Sequence, residues 1–143
     1  MELSYQLHFI NDQTANLVIE SAIKQANQLG LKICICVLDP SGRMKAFRAM
    51  DDAANIAYEA CIKKAKTAVG FGLPTGKAWY DFIKNDPIML AGAQHLPDFI
   101  LLGGGSPIYH NDKLIGAIGI SGGHYEQDEK CVQAALECLK KNE

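Results

Sequence analysis

Apolar residues recur along the first part of the chain with two different periods. Between Asn11 and Leu29 they fall at Ala15, Val18, Ile19, Ala22, Ile23, Ala26 and Leu29, the spacing of one helix face. Asn11 or Asp12 suits the helix start as a cap, and Gly30 stands where a left-handed C-terminal residue belongs. Leu31 to Leu38 (LKICICVL) is short and almost continuously apolar, which predicts a strand covered on both faces and central in its sheet. Asp39-Pro40-Ser41-Gly42 predicts a type I turn. Arg43 to about Arg48 is more polar and predicts an antiparallel partner nearer an edge.

A second helix is predicted from Asp51-Asp52 to about Val69. One side of it is small: Ala54, Ala57, Cys61, Ala65 and Ala68. Lys63, Lys64 and Lys66 cluster in its second half, where cations favour a helix end, so a solvated face is expected of them ahead of a phosphate or carboxylate contact. Gly70 to Gly76 breaks this helix, and Thr75 suits the cap of a short one carrying Trp79, Tyr80, Phe82 and Ile83. Phe99 to Leu102 is predicted as a third strand. Pro107 to His110 and Lys113 to Ser121 predict a hairpin around Asn111-Asp112, which tolerate positive φ. A last helix is expected from near His124 to about Lys140, buried through Val132, Ala135, Leu136 and Leu139.

The order α-β-β-α-(α)-β-β-β-α does not alternate as a doubly wound α/β sheet must. It predicts an α+β fold, a five-stranded antiparallel sheet with packed helices, in one domain over residues 1–143. Charge and composition narrow the partners. A net charge of −2 argues against nucleic acid or an anionic membrane, and no apolar run is long enough to span a bilayer. The N-terminal MELSYQLHFINDQ lacks the basic-then-apolar pattern of a secretion signal. Cys34, Cys36, Cys61, Cys131 and Cys138 have no disulfide-scaffold spacing and sit among apolar residues, which predicts free core thiols in a reducing cytoplasm.

The unusual chemistry lies between Ile100 and Asp128. Gly103-Gly104-Gly105 is neither a P-loop, lacking the Lys-Ser/Thr pair, nor a dinucleotide fingerprint, lacking the βαβ context. Gly116 and Gly119 interrupt the following strand, as residues do where a ligand or another backbone approaches closely. Ser121-Gly122-Gly123-His124 then opens a helix whose N–H groups suit an anion, or serve equally as a capped turn, with Glu126, Gln127 and Asp128 in its first turn. His124 is a candidate haem ligand or acid/base group, and Asp128 a candidate for proton transfer. No zinc spacing and no nucleophile elbow is present.

The stretches LGLKICICVLDPSGRMKAFRAMDDA, KAKTAVGFGLPT, LLGGGSPIYHNDKLIGAIGISGG and EQDEKC together resemble the GlcG/HbpS family of haem-degrading or haem-binding domains. That family is related to the C-terminal domain of PduO-type corrinoid adenosyltransferases. The resemblance implies a profilin-like α+β fold and assembly into homo-oligomers. It implies a small-ligand-binding accessory role, with haem, another tetrapyrrole or an anionic metabolite as ligand, in glycolate, glycerol or diol/B12-dependent catabolism. Its glycine-rich wall corresponds to Gly103, Gly104, Gly105, Gly119, Ser121, Gly122 and Gly123, and its acidic helix start to Glu126 and Asp128. Two other roles stay open: a small enzyme acting on a hydroxy-acid, aldehyde or diol-derived metabolite through His124 or Asp128, and an accessory partner of a dehydratase or another B12-pathway protein.

Overall fold

The computed structural model describes all 143 residues. The chain runs α1 (Asp12–Gln28), β1 (Cys34–Leu38), β2 (Met44–Ala49), α2 (Asn55–Phe71), α3 (Lys77–Ile83), α4 (Pro87–Gly92), a 3-10 turn (Ala93–His95), β3 (Gly105–His110), β4 (Lys113–Ser121) and α5 (Tyr125–Lys141). The strands form one antiparallel sheet in the order β2-β1-β4-β3. The expected α+β architecture and the central place of β1 hold.

The alternation of β1 explains the layering. Ile33, Ile35 and Val37 face α1 and α5 in the larger core, with Ile108, Ile118 and Ile120 of the other strands. Cys34, Cys36 and Leu38 face α2 on the opposite side, against Ala57, Cys61 and Ala65. Both faces of β1 are therefore buried, which is what its unbroken apolar run requires. The thiols behave as core groups: burial pushes Cys36 up to about 12 and Cys131 up to about 11, out of the nucleophilic range. Only Cys138 is half-exposed.

Four expectations are corrected. The sheet has four strands, not five, because Phe99–Leu102 joins no ladder. Its backbone is satisfied elsewhere: Ile100 N–H donates to Thr67 Oγ1 (3.0 Å), and Leu101 O accepts from Gly76 N–H (2.6 Å). Helix α2 begins at Asn55, since Asp52 takes a left-handed φ of 63° that no α-helix contains. Thr75 does not cap α3; its Oγ1 accepts from Gly105 N–H at 2.8 Å and fastens the loop to the start of β3. Lys64 is not solvated but 2% exposed.

Trp79, Ile83 and Ala93 make a third, smaller core under α3 and α4. The Trp79 indole N–H has no hydrogen-bond acceptor, but the ring meets Phe71 edge-on at 4.7 Å and 85°. This aromatic arm lies beside the site described next.

Candidate functional site

Helix α2 is pressed onto the sheet through the glycines. A methyl at Gly119 would lie 2.0 Å from Cys61 O, and one at Gly105 2.4 Å from Lys64 O. The small face of α2 and the glycines of β3 and β4 are thus two halves of one close contact. Gly104 (φ 114°) and Gly122 would similarly strike Ile120 O and Lys32 O. These glycines meet protein backbone, which accounts for them as packing residues.

That approach brings Lys64 under the sheet to the start of α5. Its ammonium donates to Asp128 Oδ2 (2.9 Å) and to Ile120 O (2.8 Å). Asp128 is 1% exposed, and its other oxygen accepts from Gly123 N–H at 3.0 Å. Burial pushes the Asp128 carboxyl above its ordinary range, and the Lys64 ammonium and Gly123 N–H pull it back. The pair is closed: both ions are occupied and neither meets solvent.

The helix N-terminus is closed in the same way. His124 is the N-cap of α5; its Nδ1 accepts from Glu126 N–H (3.3 Å), while Gln127 Oε1 accepts from His124 N–H (3.0 Å). The acceptors that an anion would offer there are supplied by the chain itself, as the Asp128 carboxylate on Gly123 N–H and the neutral Gln127 amide oxygen on His124 N–H. Ser121 takes no part in the cap. His124 is exposed, its ring 4.2 Å from that of Tyr125 and its Nε2 without a partner.

Beside this closed assembly a groove of about 640 Å³ opens between α3, the 101–103 segment and α5. Its walls include Tyr80, Leu101, Leu102 and Tyr125, with Lys77, Lys130, Glu126 and Glu129 among its polar groups. A smaller cavity of about 280 Å³, lined in part by Gly104, Gly105 and Ser106, continues from it and shares Lys77, Glu129 and Gln133. Of the residues singled out in the sequence, Gly103 and Glu126 line the larger groove and Gly104 and Gly105 the smaller. Gly119, Ser121, Gly122, Gly123, His124 and Asp128 line neither.

Sequence reasoning passed over Glu129 and placed the carboxylate contact that Lys64 makes behind a solvated face. Lys64 was hidden in a lysine run, and Glu129 looked like one more acid in a helix's first turns. Glu129 is half-buried, and burial, with Glu126 nearby, pushes its carboxyl up. No group of three or more His, Cys, Asp or Glu side chains is placed to hold a metal ion. No helix is long and apolar enough to cross a membrane.

Residues 10–137 match the model of the haem-degrading HbpS-like proteins, so the chain belongs to that family. It is 30% identical, over 83% of its length, to the corrinoid adenosyltransferase PduO of Salmonella typhimurium, of which it spans 35%. Two solved structures share the fold over nearly all of the chain. The Klebsiella pneumoniae protein ORFY is 28% identical with a TM-score of 0.90, covering 98% of this chain and 97% of that one. A complex of PduOC with haem is 25% identical with a TM-score of 0.81, covering 91% and 94%.

Proposed function

Within that family, we propose that this chain is a small-ligand-binding accessory protein whose groove between α3 and α5 takes haem or a related tetrapyrrole. The observation that carries the reading is the groove itself, about 640 Å³ with tyrosine and leucine walls and two lysines among its polar groups. That size is within the range of small-molecule and cofactor sites. A tetrapyrrole needs apolar surface for its ring, cations for its carboxylates and a donor atom for its metal. Tyr80, Leu101, Leu102 and Tyr125 offer the first, and Lys77 and Lys130 the second. The Tyr80 and Tyr125 phenols of the groove, and the free Nε2 of His124, whose ring lies against that of Tyr125 outside the lining, belong to donor types that haem iron accepts. The residues present fit the group.

The solved haem complex of PduOC supports this reading by fold likeness. The enclosure of Asp128 favours binding over acid–base turnover, because a proton-transfer group must reach its substrate. The proposal extends to service in a corrinoid-dependent pathway, with a dehydratase as the partner to look for by co-purification. Titration of the purified protein with haemin, followed at the Soret band, tests the ligand. A saturable one-to-one shift, weakened in Tyr125→Phe or His124→Ala, is expected; a featureless, non-saturating change in the wild type removes the haem reading.

A further inference from the structure

Gly103 differs from Gly104, Gly105, Gly119 and Gly122, which meet backbone, in that a carboxylate occupies its empty space. A methyl there would lie 1.8 Å from Glu129 Oε1, and one at Gly76 would lie 2.6 Å from the same oxygen. Two glycines from separate loops thus leave room for one carboxylate. Gly76 is also held at φ 85°, which suits glycine on its own account, so Gly103 is the position where space alone decides.

The carboxylate lodged there has no partner within the protein. Glu129 makes no side-chain hydrogen bond and no ion pair, although cations are near. Lys77 is paired with Asp81, and Lys130 with no acid. The contrast with Asp128, whose two oxygens each accept one hydrogen bond, from Lys64 and from Gly123, is complete at one residue's distance. Glu129 also stands where the two cavities meet, lining both. A partly desolvated carboxylate without a donor gains more from an arriving cation or Lewis-acidic centre than a solvated one does.

We propose that Glu129, seated against Gly76 and Gly103, is the groove's anchor for the electron-poor centre of its ligand: the ferric iron, or water bound to it, of haemin. The proposal rests on the tetrapyrrole reading above and adds to its neutral phenol and imidazole donors a charged residue that tells an iron porphyrin from a metal-free one. The ring walls and the lysines serve both kinds of ligand alike, because both carry the same ring and the same carboxylates. Glu129 serves only the one with a cationic centre.

The test compares haemin with protoporphyrin IX on the full chain, read by the Soret band and by quenching of Trp79, the single tryptophan. Glu129→Gln keeps the shape and removes the charge. Gly103→Ala keeps the charge and puts a methyl where the carboxylate sits, displacing a flexible side-chain end rather than backbone. Both variants are expected to weaken haemin by roughly tenfold or more, the scale of one charged contact, and to leave protoporphyrin IX unchanged. Unfolding curves matching the wild type establish that the variants are folded. Equal weakening of both ligands, or no change in either, overturns the assignment of Glu129 and leaves the groove reading standing. If the wild type binds neither ligand, both readings fall.

Discussion

Asp128 and Glu129 are adjacent on α5 and have opposite surroundings. Asp128 is 1% exposed and ion-paired with a lysine that is itself buried, with a backbone N–H on its second oxygen. Glu129 faces a groove with both oxygens free of donors. One carboxylate is spent on joining α5 to α2 and the sheet; the other is held open. An acidic cluster at a helix start is therefore not one feature. Each acid's role follows from which way the helix turns it.

The largest effect is expected from breaking the closed side. Lys64→Met strands a buried carboxylate and should cost about 3–5 kcal/mol in urea unfolding. Lys64→Met combined with Asp128→Leu, which removes both charges, should recover most of that loss. The pH dependence gives a second handle. Burial raises the folded-state pKa of Asp128, so the folded state holds more protons than the unfolded chain just above the ordinary carboxylate range. Stability contributed at this position therefore falls as pH rises through that window and is highest where the acid is protonated. Lys64→Met, having lost the cation that opposes the shift, should show a steeper fall than the wild type. A flat difference between the two across mildly acidic to neutral pH would contradict the closed-pair description.

A smaller loss is expected at the cap between the two environments. His124→Ala removes the acceptor for Glu126 N–H and should cost about 1 kcal/mol, with Asn or Ser at the position restoring most of it. The smallest effect belongs to the open side. Glu129→Gln should change stability by no more than about 0.5 kcal/mol, since no protein contact is lost. A large stability loss there would show that Glu129 is structural and would erase the distinction from Asp128.

Much of the fold was legible in the sequence for a local reason. The helical spacing of α1, the unbroken apolar run of β1 and the Asn111-Asp112 turn each state their conformation within a few residues, and all three form as expected. Phe99–Leu102 misled because a short apolar run reads the same whether it pairs in a ladder or packs against Trp79, as Phe99 and Leu101 do. The site was legible only in part. Glycines at 103–105, 116, 119 and 122–123 announced close approach, but not what approaches, and for most of them it is α2 or neighbouring backbone.

What the sequence alone determined is the set of elements, their α+β order, the central position of β1 and the burial of most thiols, because these depend on periodicity and hydrophobicity along the chain. The tertiary structure alone decided the fate of charges. Lys64 and Asp128 are 64 residues apart and meet only because α2 lies flat against glycines that offer no side chain to hold it off. The same packing turns Glu129, the next residue along, toward the groove. Charge carries no periodic signal, and its energy depends on partners and solvent that only the folded chain brings together.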